Sequence, residues 1–137
     1  MGRFPTVRIE HAIDDKLRVV IPKIFREGFG AEQVYLHDRG DPRTLYLYPK
    51  SYINLKLNQF PSPLDPGFNP DELLRLLNVQ GGLRYLEYDQ NNRVIISEAR
   101  VRAKDIKSLE IVTFQGVNDY VLLFLGKARE MQQYSQL

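Results

Sequence analysis

The chain has 137 residues, no cysteine and a formal net charge of +2. That length suits one domain with one shared core, and the missing thiols exclude disulfides, thiolate metal sites and a cysteine nucleophile. A uniformly basic surface is excluded too, because residues 1–60 carry 10 basic and 7 acidic side chains and residues 61–137 carry 9 and 10. Any contact with nucleic acid must then come from a few placed residues, multiplied where copies assemble.

The opening Met-Gly-Arg-Phe-Pro lacks the apolar stretch of a signal peptide. No apolar run approaches the roughly 20 residues of a membrane span, so a soluble, cytoplasmic protein is expected.

In chain order, Val7 to Ile13 alternates apolar and polar, which predicts a half-buried strand with Val7, Ile9 and Ile13 inward. His11 falls on that apolar face. Asp14 to Leu17 reads as a turn, and Val19-Val20-Ile21 as a short buried strand. Pro22 suits the first position of a short helix, which Gly28 and Gly30 can close. Val34–Leu36 and Leu45–Tyr48 read as strands around the turn-rich segment Asp38–Pro42. Ser51 is expected to cap a helix with the apolar stripe Ile53, Leu57 and Phe60.

Residues 61–70 hold four prolines and form the clearest boundary. Asn69 can cap a second helix bearing Leu73, Leu74, Leu76 and Leu77, which Gly81-Gly82 would stop. The plan then repeats: a strand to Tyr88, a turn, a strand Val94–Ile96, a short helix from Ser97, and strands Leu109–Phe114 and Tyr120–Leu125. A polar tail follows Met131. The expected organisation is a first repeat over 7–51, a connector over 52–82, a second repeat over 83–127 and a tail over 128–137.

The repetition has a constant offset of 75 residues. Asp14-Asp-Lys-Leu-Arg18 before Val19-Val-Ile21 returns as Asp89-Gln-Asn-Asn-Arg93 before Val94-Ile-Ile96. Without a gap the same offset matches Leu36 to Ile111 and Leu47 to Leu122. Function is expected where both copies present the same loop. In each Asp-x-x-x-Arg, the carboxylate can accept backbone donors of the turn and fix the direction of the guanidinium. An arginine fixed beside Lys16 is a good donor to phosphate oxygens or guanine edges. The competing reading is that Asp and Arg merely staple a tight hairpin.

These residues resemble the MraZ regulators, tandem-repeat members of the AbrB/SpoVT family. Glu10 to Pro22 resembles that family's opening strand and signature, and Leu45-Tyr-Leu-Tyr-Pro49 its aromatic strand. Leu73–Leu77, the glycine pair and Asp89–Arg93 follow in the family's order. The resemblance implies a mainly β (α+β) fold, an interleaved swapped-hairpin barrel built from the two repeats, and ring-like homo-oligomers. It also implies a nucleoid-associated regulator acting on double-stranded DNA at the promoter of the division and cell-wall gene cluster, with no cofactor. Carried onto this chain, Arg18 and Arg93 would contact DNA, with Lys16, Arg8 and Lys23 on phosphate. Asp14 and Asp89 would orient the arginines. Leu17 and Asn92 stand where the family has glycine. Asparagine tolerates a left-handed backbone and leucine does not, so the first turn is expected to differ in shape.

Alternatives are a ring-forming interaction module without DNA binding and an AbrB-type antitoxin. No Gly-x-Ser-x-Gly elbow, phosphate loop or Gly-x-Gly-x-x-Gly is present, so no enzyme is expected. No metal site is expected either, since His11 on an apolar strand face reads as a packed, hydrogen-bonded residue.

Overall fold

In a computed structural model, residues 3–39, 41, 43–59, 83–96 and 110–131 are described. The proline-rich segment 61–70, the expected helix over Leu73–Leu77 with its glycine pair, the expected helix from Ser97 and the polar tail after Met131 lie outside these residues. So does the side chain of Leu57 and all of Phe60.

The strands are β1 (Arg8–Ala12), β2 (Arg18–Val20), β3 (Val34–His37), β4 (Thr44–Pro49), β5 (Arg84–Leu86), β6 (Arg93–Ile95), β7 (Ile111–Val117) and β8 (Tyr120–Phe124). The helices are α1 (Lys23–Phe29) and α2 (Lys50–Gln59), with a 3-10 turn at Ala128–Glu130. The mainly β architecture matches the alternation in the sequence.

Six strands form one sheet in the order β1-β7-β8-β4-β3-β5, and β2 and β6 form a separate ribbon. β1 and β5 are the edges of the larger sheet, so its ladder does not close into the expected barrel among the described residues. The interleaving is plain nonetheless. Every strand before the connector pairs with one after it: β1 with β7, β2 with β6, β3 with β5 and β4 with β8. All of these ladders are antiparallel, so neither half completes its backbone hydrogen bonding alone.

One core fills the space between the six-stranded sheet and the β2–β6 ribbon. Leu36, Leu45, Leu47, Val112, Phe114 and Leu123 enter it from the sheet, Val19 and Val94 from the ribbon, and Phe25 and Phe29 from α1. Each fully buried aliphatic or aromatic side chain here contributes about 1.5–3 kcal/mol relative to exposure. The sheet's other face carries a second cluster, in which Tyr46, Tyr48, Tyr52 and Tyr120 pack ring on ring beside Ile53. Burial pushes the Tyr48 phenol up to about 12.

α1 begins at Lys23, one residue later than the sequence suggests. Pro22 is its N-cap, its carbonyl accepts from Phe25 and Arg26, and Gly30, at φ 60°, closes the helix by donating to Arg26. α2 departs from expectation. It starts at Lys50, so Ser51 lies inside the helix rather than capping it. The Ser51 amide donates instead to Glu32 Oε1 at 2.8 Å, and Arg3 bridges Glu32 and the Ser51 hydroxyl. The cap is supplied by tertiary contact.

The gapless repeat also needs correcting in the hairpins. Leu36 lies opposite Leu47 and Phe114 opposite Leu123, all four in the core, whereas Leu122, 75 positions after Leu47, lies in the cluster on the sheet's other face. Leu36 therefore corresponds to Phe114, since Phe114 lies opposite Ile9 and Leu36 opposite Arg84, 75 positions after Ile9, and Leu47 corresponds to Leu123; neither Ile111 nor Leu122 holds the place that a fixed offset gives it. The physical reason is turn length: β3 and β4 are joined through Asp38–Arg43, whereas β7 and β8 are joined by Asn118 and Asp119 alone.

Candidate nucleic-acid interface

The two signature loops fold alike, bond for bond. In the first, the Asp14 amide donates to the Arg18 carbonyl at 3.1 Å and the Leu17 amide to the Asp14 carbonyl at 3.0 Å. In the second, the Asp89 amide donates to the Arg93 carbonyl at 2.9 Å and the Asn92 amide to the Asp89 carbonyl at 3.1 Å.

The aspartates divide their two oxygens in the same way. Asp14 Oδ1 accepts from the Lys16 and Arg18 amides at 3.0 and 2.8 Å, and Oδ2 accepts from Arg18 Nε at 2.6 Å. Asp89 Oδ1 accepts from the Asn91 and Arg93 amides at 2.8 and 2.9 Å, and Oδ2 from Arg93 Nε at 2.8 Å. The Arg18 amide, above all, holds the Asp14 carboxyl below its ordinary value, with the guanidinium and the Lys16 amide adding to it. The Arg93 amide does the same for Asp89, helped by the Asn91 amide and the Arg93 guanidinium. Each ion pair is made through Nε, so the Nη edge of the guanidinium is not used in it.

Leu17 and Asn92 both stand at φ 61°, in the left-handed region. The expectation that leucine would change the first turn is overturned. Left-handed backbone costs an L-residue roughly 1–2 kcal/mol, and Leu17 offsets this by packing its side chain on the core. Its carbonyl also accepts from the Ile96 amide at 2.9 Å, which ties the first loop to the second half of the chain.

The ribbon then brings the loops together. Arg18 pairs with Ile95, Val19 with Val94 and Val20 with Arg93. Each member of the central pair is the other's counterpart at the 75-residue offset, so a pseudo-twofold axis passes between Val19 and Val94. These two valines turn inward, at 1% and 2% exposure. Arg18, Val20, Arg93 and Ile95 therefore share the outward face. Arg18 and Arg93 are diagonal neighbours across the strands, with Cα atoms about 7–8 Å apart.

Lys16 is exposed at the tip of the first loop, and Lys23 is exposed at the start of α1, just beyond β2. Arg8 is not grouped with them. It lies at the far end of β1 from the loop, about 13 Å along the strand, and its Nε donates to Gln115 across the β1–β7 ladder. His11 behaves as a packed residue, bonded through Nδ1 to the Val20 carbonyl at 2.7 Å and set edge-on to Phe114. No group of three or more His, Asp or Glu among the described residues is arranged to hold a metal ion. No helix among them is long and apolar enough to cross a membrane.

Reading residue by residue missed Val20 and Ile95, which the repeat itself could have flagged as outward neighbours of the arginines. A short β-branched run reads as wholly buried when the partner strand is unknown.

No family model matches the chain. The chain is similar to the transcriptional regulator MraZ of Chlorobaculum parvum, at 32% identity over 102 residues, or 66% of this chain and 61% of that protein. It spans 61% of the length of this MraZ relative, which is less than two thirds.

Proposed function

We propose that the chain is a sequence-specific DNA-binding transcriptional regulator of the MraZ type that uses Arg18 and Arg93 as its paired contacts. The observation that carries this reading is the outward face of the β2–β6 ribbon. There two arginines, each aimed by its own aspartate, stand about a pseudo-twofold axis. A hairpin staple explains one such loop. It does not explain why two loops of the same geometry meet on one face with the Nη edges of both arginines left out of their ion pairs. Arginine held in this way is suited to bidentate donation to guanine O6 and N7 or to phosphate oxygens. Lys16 and Lys23 add charge at the margin.

In this reading the chain comprises two AbrB/SpoVT-like repeats, at 7–51 and 83–127. It works as a ring-like homo-oligomer on the promoter of the division and cell-wall gene cluster, in the cytoplasm at the nucleoid. Assembly would compensate for the modest charge of one protomer, because tandem contacts multiply affinity. It needs no cofactor and catalyses no reaction. The test is selection of duplexes from a random-sequence pool by the full chain, followed by a salt series on the enriched duplex. Enrichment of a motif, with log affinity falling linearly in log salt, supports the reading. Failure to enrich any sequence by a folded, assembled protein would contradict it.

A further inference from the structure

Ile95 is a large aliphatic residue left 52% exposed by the fold. A single exposed isoleucine needs no explanation on most surfaces. This one lies in an unusual place. It is the cross-strand partner of Arg18 and follows Arg93 by two residues on the same strand, so it stands on the outward face beside both arginines. Its pseudo-symmetric counterpart, Val20, faces Arg93 in the same way and is only half-buried.

The surroundings of the two residues differ. On the first half, His11 reaches across from β1 to the Val20 carbonyl. On the second half, Ile95 borders an open hollow of about 420 Å³, lined also by Tyr85, Tyr88 and Asp89. Tyr85 and Tyr88 are themselves 42% and 37% exposed. The surface beside the second loop is thus concave, and its lining mixes Ile95 and the two tyrosine rings with Arg84, Glu87 and Asp89.

Arginine supplies donors for guanine and phosphate but nothing that distinguishes thymine from cytosine by shape. In the major groove, thymine alone among the four bases presents a C5-methyl group, and aliphatic side chains recognise it by contact. Resting on the DNA-binding reading above, we propose that Ile95 is a specificity-determining residue that packs against a thymine C5-methyl group next to the base pair engaged by Arg18 or Arg93. Val20 is less exposed and contributes less.

The test uses a duplex enriched from a random-sequence pool by the full chain, with each thymine replaced in turn by uracil, which lacks only the methyl group. At one or two positions uracil weakens binding by the unaltered protein roughly threefold to fivefold, the size expected from losing burial of one methyl. Ile95→Ala binds the thymine and uracil duplexes at those positions equally, while its thermal midpoint and assembly stay unchanged because the side chain is exposed. Uracil substitution without effect anywhere overturns the inference, as does unaltered discrimination in Ile95→Ala. Methyl-blind binding that is still lost in Arg18→Ala/Arg93→Ala rejects the role of Ile95 and leaves the DNA reading standing. Absence of any enriched duplex rejects both.

Discussion

Val19 faces Val94 across the middle of the β2–β6 ribbon, and the two residues hold the same place in the two halves of the chain. The axis between them continues into the large sheet, where Tyr46 faces Leu122 and Leu47 faces Val121. Tyr46 and Leu122 each lie between two core residues of their own strand, so there too the central pair consists of counterparts. The symmetry thus reaches from the arginine face through the core to the far side of the sheet, and it makes the two loops one surface.

Removing either central valine should damage stability and loop geometry together. Val19→Ala and Val94→Ala should each cost about 2 kcal/mol, from lost burial and the cavity left behind. Chemical denaturation read by circular dichroism would check this, with closely matched losses expected for the two sites. A loss at one site and none at the other would show that the core does not share the symmetry of the backbone.

Acid should loosen the two loops before it unfolds the core. The Asp14 and Asp89 carboxyls are held below their ordinary value of 3.8, chiefly by the backbone amides of Arg18 and Arg93. A carboxyl with a lowered folded-state value stabilises the fold fully above its unfolded value, and that contribution is lost as the pH falls through the lower, folded one. The urea midpoint should therefore drop as the pH falls from about 5 to below the ordinary aspartate value. Asp14→Asn/Asp89→Asn should show a shallower drop, and an equally steep one would refute the assignment.

Leu17→Asn should be well tolerated. Asn92 holds the same φ of 61° in the second loop, so asparagine at position 17 lowers the left-handed cost while giving up the leucine's packing on the core. The two changes offset one another to within about 1 kcal/mol. Amide exchange at Lys16 and Arg18 is the direct check, and retained protection is expected. Collapse of that protection would mean that the apolar anchor, rather than the Asp14 bonds, holds the loop.

Gly116 is a tighter constraint. A Cβ there would lie 1.9 Å from the Pro5 carbonyl oxygen, a backbone atom that cannot swing aside. Gly116→Ala should destabilise the fold by roughly 1–3 kcal/mol through overpacking, and should free the N-terminal segment that pairs Phe4 with Asn118. A thermal midpoint equal to that of the unaltered chain would contradict this.

Much of this architecture could be read before folding. The period-two pattern marked β1, although Val7, expected inward, stands before the strand and is exposed, and Pro22 with Gly30 marked the limits of α1. The returning Asp-x-x-x-Arg located both loops of the candidate site. What could not be read depends on contacts distant in sequence. Glu32, not Ser51, satisfies the start of α2, because the loop before β3 happens to pass there. Leucine at position 17 adopts a glycine-like backbone because the core rewards its side chain. The long β3–β4 connection shifts the strand register, so a fixed offset matches Leu36 to the wrong partner. Ile95 looked like a core residue until its partner strand revealed which face was outward.

The central claim is that Arg18 and Arg93 form one DNA-reading face. It is tested most directly by comparing the unaltered chain with Arg18→Ala, Arg93→Ala and the double variant on one enriched duplex, over a salt series. Each single change should cost about 1–3 kcal/mol of binding, or roughly 5- to 150-fold, with folding and assembly unaltered. The double variant should lose selective binding. Equal affinity in all four proteins would contradict the account and return the two loops to the role of hairpin staples.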